Sequence, residues 1–322
     1  MPHMANTQTN DFSKGSVAGN ILRLALPMTV AQLINVLYSV VDRMYIGRLP
    51  DAAGNALTGL GLTFPILSIV TAFANLFGMG GSPLFSIQRG KGDRDRAQVI
   101  LGNTFALLVG TGVALTVVLL VLKRPLLYAF GASDATYPYA DGYLTIYLLG
   151  SVFVMISLGM NQFINAQGFG RTGMLTVLIG AVTNILLDPV FIFVLGMGVQ
   201  GAALATILSQ FLSAVWAVSF LRGKKALIRL EWGSMRLQPK LVWQIVSLGF
   251  SSFVMAITNS IVQVACNSTL QSFGGDLYVG VMTIINSVRE VVSTPINGVT
   301  SAAQPVMGFN YGAKESKRVR AG

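Results

Sequence analysis

Charge is scarce in this chain, and cysteine and histidine occur once each. Each scarcity removes a class of function. Cys266 lies alone inside an apolar segment, so an internal disulfide and a cysteine metal cluster are both excluded. His3 sits in a polar N-terminal tail, which leaves no histidine for catalysis or metal binding in the body of the chain. Charged residues make up 11% of the 322 and hydrophobic ones 53%. Several apolar runs exceed the ~18 residues that span hydrocarbon as a helix, and a soluble globular fold fails on that count. The ten-residue alternation of a membrane β-barrel is also missing. The predicted fold class is all-α integral membrane.

Other absences narrow the reading. Met1 to Ser16 has no basic stretch leading into a short apolar core, so a cleaved signal peptide is not expected. The glycine-rich stretches Gly78-Met79-Gly80-Gly81 and Gly168-Phe169-Gly170 lack both a preceding strand and the Gly-Lys-Ser/Thr ending of a phosphate loop, and small residues there suit close helix contact instead. Eight spans are predicted, at 19–46, 55–86, 98–122, 138–165, 173–196, 200–221, 243–270 and 277–308. Pro27, Pro65, Pro189 and Pro295 interrupt them, which membrane helices tolerate where neighbours or cavity water satisfy the freed backbone groups. The formal charge of +10 is a topology signal and no nucleic-acid partner is expected: Arg89, Lys91, Arg94, Arg96, Arg171 and the run from Arg222 to Lys240 fall on one side, whereas the loops on the other hold Arg48, Lys123 and Arg124. By the positive-inside rule the N-terminus is cytoplasmic and the chain is a multi-pass protein of the cell membrane.

Against this background two carboxylates stand out, Asp42 and Asp188, each within an apolar span. An acid at membrane depth costs from a few to more than ~10 kcal/mol and marks an ion or substrate pathway by default. Asn184 precedes Asp188 by four residues, which puts amide and carboxylate on one helical face. Asp42 closes a similar stripe with Tyr38 and Asn35. Arg289 and Glu290 form another intramembrane charge pair, but adjacent residues diverge by about 100° around a helix, so each needs another partner. Asn161, Gln162 and Asn165 fit a packing or gating role at the inner end of their span. The chain reads as a transporter, with no enzymatic turnover.

Internal symmetry supports that reading. At a fixed shift of 222 residues Leu26 meets Leu248, Val70 meets Val292, Asn75 meets Asn297, Pro83 meets Pro305 and Gly90 meets Gly312. The shift holds without gaps over two spans and the loop after them, and an even number of spans between copies makes the repeats parallel. The expected organisation is a tail at 1–18, an N-terminal six-helix bundle at 19–221, a basic linker at 222–242, and the first two helices of a second, pseudo-symmetric bundle at 243–322. Four further helices would complete twelve.

The motifs Leu26-Pro27, Tyr38 to Gly47, Thr183-Asn184-Ile185-Leu186-Leu187-Asp188-Pro189, Gly201 to Thr206, Gln304-Pro305 and Asn310-Tyr311-Gly312-Ala313 occur in this order. In that order and spacing they resemble the multidrug and toxic compound extrusion (MATE) transporters. The resemblance implies two six-helix bundles in a V around a cavity, and export of cationic or amphiphilic organic compounds in exchange for protons or sodium. By motif match it implies a coupling site of Asp42, Asn184, Asp188 and Thr206, with no helix-7 acid where some members have one. This set offers two carboxylates, an amide oxygen and a hydroxyl, which suit either a proton or Na+. Asn35, Tyr38, Gln210, Arg289 and Glu290 are candidate cavity residues. No cofactor beyond the coupling ion and no obligate oligomer is expected. A lipid or lipid-linked oligosaccharide flippase of related architecture is the alternative, and it would favour a cavity rich in Arg and Lys.

Overall fold

A computed structural model of the chain describes residues 10–48 and 53–322, apart from the side chains at 43, 53–55, 263, 264, 267, 268, 271, 274–280, 283, 284, 286–288, 290 and 291. His3 and the side chain of Glu290 therefore lie outside the described residues. Among those described, every regular element is helical: α1 (Val17–Ile46), α2 (Ala53–Gly90), α3 (Arg94–Ala129), α4 (Tyr137–Leu149), α5 (Ser151–Ala166), α6 (Gly170–Pro189), α7 (Gly198–Arg222), α8 (Pro239–Gly312) and α9 (Ser316–Ala321). Six helical runs are long and apolar enough to cross a bilayer, and α4 with α5 adds a broken seventh. The chain is an all-α membrane protein.

Local sequence explains most of the boundaries. Helix α3 starts where Asp93 caps it, accepting the Arg96 amide at 2.9 Å just after Gly92 turns the chain at φ +78°. The span expected at 138–165 is broken instead: α4 and α5 meet at a 55° bend around Gly150. A β-carbon at Gly150 would strike the Ile207 side chain on α7, so a bare backbone lets α7 pack into the bend. Helix α6 ends at Pro189 and continues as one π-helical turn, Val190–Val194. Proline cannot donate the hydrogen bond that would hold a regular turn there, and the wider turn follows.

The largest departure lies in α8. A loop was expected between spans 243–270 and 277–308, yet helical backbone runs without interruption over its 74 residues. If straight, it would extend about 111 Å at 1.5 Å per residue. Its contacts forbid that. Gly249 rests on the Leu76 carbonyl of α2, and Gly312 rests on the Ile87 carbonyl of the same helix. Those two points are roughly 16 Å apart along α2. The element must therefore double back, with two arms packing on α2 as two separate spans would.

Glycines make this packing close. Gly80 abuts the Ile245 carbonyl, Gly90 the Phe309 carbonyl, and Gly308 lies against Ser86. The expectation that the small residues of α2 admit a neighbouring helix holds here. Under the 222-residue shift, the contact of Gly90 with Phe309 becomes that of Gly312 with Ile87, and both are present. Ser86 and Gly308 exchange with each other. Contacts that map onto one another in this way are those of two elements facing across a local two-fold axis.

The segment between α7 and α8 is a docked strap. The buried Gln167 side chain accepts the Leu227 and Ile228 amides at 2.8 and 3.0 Å and donates to the Ile228 carbonyl at 3.1 Å. Asn103 donates to the Ser234 and Arg236 carbonyls and accepts the Gln238 amide. Two buried amides thus replace water for backbone that has no ladder of its own.

The glycine contacts carry a direct prediction. Gly90→Val or Gly312→Val should lower the thermal unfolding temperature of the detergent-purified protein by the equivalent of about 1–3 kcal/mol, the usual cost of overpacking. Gly110→Val, where an added side chain meets open space, should leave it nearly unchanged.

Candidate functional site

Helices α1, α2, α4, α5 and α7 enclose a cavity of about 260 Å³. Asn35, Tyr38, Ser39 and Asp42 reach it from α1 at the i, i+3, i+4 and i+7 positions that one helical face supplies. Leu60, Phe64, Leu67 and Thr71 face them from α2, and Thr206 and Gln210 close the side formed by α7. Val154 and Leu158 of α5 and two tyrosines complete the wall. Tyr143 and Tyr147, one turn apart on α4, stack with centroids 6.2 Å apart and planes 16° apart.

Between α1 and α7, α6 presents Asn184 and Asp188, both essentially inaccessible to solvent. Asn184 Nδ2 donates to Asp188 Oδ1 at 3.2 Å and to Thr206 Oγ1 at 3.4 Å. One amide thus ties α6 to α7. Asp42 of α1 lines the cavity alongside the same Thr206, so both carboxyl groups fall in one neighbourhood at the junction of α1, α6 and α7. Asp188 Oδ2 and Asn184 Oδ1 are buried and receive no hydrogen bond from the protein.

That arrangement has a definite chemical meaning. Two carboxylates cannot donate to each other, so a hydrogen bond between them needs a proton on one. A cation between the oxygens meets the same need. The buried oxygens of Asp188 and Asn184, with the Thr206 hydroxyl and Asp42 close by, form an all-oxygen set that fits Na+ as well as a proton. Next to the set, Pro189 and the π-helical turn leave α6 irregular, and Phe193 of that turn packs edge-on against Tyr45 of α1 at 6.2 Å.

The residues singled out from the sequence separate clearly. Asp42, Asn184, Asp188 and Thr206 share one neighbourhood, and Asn35, Tyr38 and Gln210 line the adjoining cavity. Arg289 is not brought there: it is exposed on α8 and absent from the cavity lining. The side chain of Glu290 lies outside the described residues. Asn161 and Asn165 turn their amide oxygens onto Gly173 of α6 and do not line the cavity. Tyr143 and Tyr147 were missed. Their four-residue spacing was a readable signal of a shared face, but nothing in the sequence says that this face meets Asp42.

Comparison with known proteins places this geometry. The MatE family model matches residues 27–190 and 251–321. The multidrug export protein MepA of Staphylococcus saprophyticus subsp. saprophyticus is 25% identical over 312 residues, covering 96% of this chain and 68% of that relative. MepA of Staphylococcus aureus strain NCTC 8325 is 24% identical over 318 residues, covering 98% of this chain and 69% of the relative. Among solved structures, the outward-facing conformation of a multidrug resistance MATE family transporter of the MOP superfamily superposes with a TM-score of 0.90 at 26% identity, over 98% of this chain and 69% of that one. The family model covers well over half of the chain, its motifs lie on the helices that build the cavity, and the chain belongs to the MatE family.

Proposed function

We propose that this protein exports drug-like or toxic organic compounds across the cell membrane by secondary active antiport, a proton or Na+ entering as the compound leaves. The observation that carries the reading is the pair of neighbouring carboxyl groups, Asp188 tied through Asn184 to Thr206 and Asp42 lining the cavity with that same Thr206. Antiport requires the coupling ion and the cargo to affect one another's binding. A carboxyl group with one flank in the ion set and the other in the cavity meets that requirement. With the ion bound, the charge of Asp42 is neutralised and a cationic compound loses its counter-ion. Without it, Asp42 offers a charge among Tyr38, Phe64, Tyr143 and Tyr147, a lining that suits cationic amphiphiles. The MepA relatives are named as multidrug export proteins, which agrees.

Alternating access follows from the same reading. Two six-helix bundles related by the 222-residue shift would meet at α2 and the second arm of α8, where contacts exchange in pairs. The resemblance to an outward-facing transporter and the clustered basic loops are consistent with a closed cytoplasmic side and a cytoplasmic N-terminus. The flippase alternative is weaker. Its pyrophosphate cargo needs basic residues, and the cavity lining contains an acid and neither Arg nor Lys.

Two outcomes test the site. Asp188→Asn in the full-length protein should abolish ion-gradient-driven efflux of a fluorescent organic cation from everted vesicles; undiminished efflux would sink the coupling assignment. The hydrogen-bond geometry also orders two stability effects. Thr206→Val removes one neutral acceptor and should cost about 1 kcal/mol, whereas Asn184→Leu strands a carboxylate and should cost about 3 kcal/mol, both read as thermal unfolding in detergent.

A further inference from the structure

We propose that residues 10–15 are a releasable clasp, which holds α2 and the second arm of α8 together on the N-terminal side of the membrane and must let go in each transport cycle. The inference rests on the alternating-access reading above. The segment lies across the place where the two repeats meet. Phe12 is fully buried in an apolar cluster with Leu24 of α1 and Ala302 and Val306 of α8. Its ring meets Phe309 edge-on, with centroids 5.7 Å apart and planes at 89°.

Two arginines grip the backbone of the segment from opposite sides. From α2, Arg89 donates to the Asn10 carbonyl and, at 2.8 Å, to the Ala166 carbonyl at the end of α5. Its guanidinium also lies 5.0 Å from the rings of both Phe12 and Phe309. From α9, Arg318 donates to the carbonyls of Phe12 and Gly15 at 2.9 and 2.8 Å, and Asn310 adds a bond to the Phe12 carbonyl at 3.2 Å. One short peptide is thus fastened to both repeats at once. Each repeat grips it through side chains that would have to part if the repeats moved.

The chemistry of the grip favours release. Among the described residues Arg89 forms no salt bridge, and its charge is met by carbonyl dipoles and ring faces. Asp11 of the segment acts on Arg89 only through space, with no ion-pair contact, and a buried cation held this way gives back part of its docking energy when water returns. Arg318 bonds to a peptide that is half exposed, where water can replace each contact. A permanent joint would bury a paired charge, whereas this one is held by Phe12 and by contacts that exchange readily with solvent.

Two measurements on the full-length protein, with Cys266→Ser as background, test the clasp. Ser86 is fully buried against Gly308 beneath it, so Ser86→Cys reports opening of the joint to a membrane-impermeant maleimide applied from the N-terminal side. Phe12→Ala and Arg318→Gln should each raise the labelling rate about tenfold, the shift expected when one charge-assisted hydrogen bond or its equivalent is lost. Unchanged labelling, with normal amounts of protein in the membrane, overturns the proposal. Should Phe12→Ala fail to accumulate, Arg318→Gln at the solvent edge carries this arm. Labelling reports the joint whether or not the protein exports anything, so it stands apart from the transport assignment. In the second arm, Phe12→Cys with Phe309→Cys is bridged by a short cleavable reagent. Export should fall at least tenfold when the bridge is in place and recover on cleavage; full export with the bridge intact overturns the clasp.

Discussion

Backbone-to-backbone contact along α2 is the constraint on which the remaining architecture depends. Hydrocarbon exerts little pressure to bring apolar helices together, so membrane helices rely on close van der Waals packing, and close packing needs small residues. Gly80 and Gly90 on α2 and Gly249 and Gly312 on α8 provide it at two levels of the same helix. Because α2 is pinned at both levels, the long α8 element cannot extend away. The second arm is thereby delivered to α1, where Gly298 meets Thr29, and to the N-terminal segment. The other face of α2 is then free to form a wall of the cavity through Phe64 and Thr71.

Within the cavity a second constraint operates, the need to satisfy charge where water is scarce. A lone Asp188 at zero exposure would be untenable. Asn184 answers one of its oxygens, and on the proposed antiport reading the remaining demand falls to an ion shared with Asp42. On that reading, the demand left open by the protein is what gives the site its use. If a further donor satisfied Asp188 Oδ2, the site would gain stability and lose its call for a proton or Na+.

Much of this was legible in the sequence, for reasons particular to membrane chains. Run length alone located α1, α2, α3 and α7, because a bilayer sets the length of what crosses it. The four-residue spacing of Asn184 and Asp188 put them on one helical face, where they hydrogen-bond, and the 222-residue shift identified the equivalent positions whose contacts between α2 and α8 turn out to be reciprocal. What escaped notice depends on distant partners. Gly150 breaks its span because Ile207 of α7 needs the room. Phe12 is a single aromatic in a polar stretch, and its burial is decided by Val306 and Phe309, nearly three hundred residues away. Arg289 shows the opposite failing: a charge inside an apolar stretch signals an unusual place, yet does not say which cavity, if any, it faces.

The two ends of α1 join these themes. Residues that begin α1 follow directly on the clasp segment, and Asp42 lies near its far end, some 25 residues or about 38 Å along a straight helix. A rigid rod of that length would make any change at the carboxyl pair a movement of the clasp. Pro27 argues against full rigidity, since it removes one intrahelical hydrogen bond and lets α1 flex a third of the way along. Below that point Leu24 and Pro27 lie against Gly170 of α6, and beyond it Thr29 lies against Gly298 of α8. The hinge therefore falls where α1 touches both repeats at once. Motion at Asp42 can bend the upper part of α1 while the lower part stays docked, and the bend is spent at the seam that the clasp holds shut. A coupling site and a closure on opposite sides of the membrane can then influence each other through one helix, without a continuous chain of polar contacts between them.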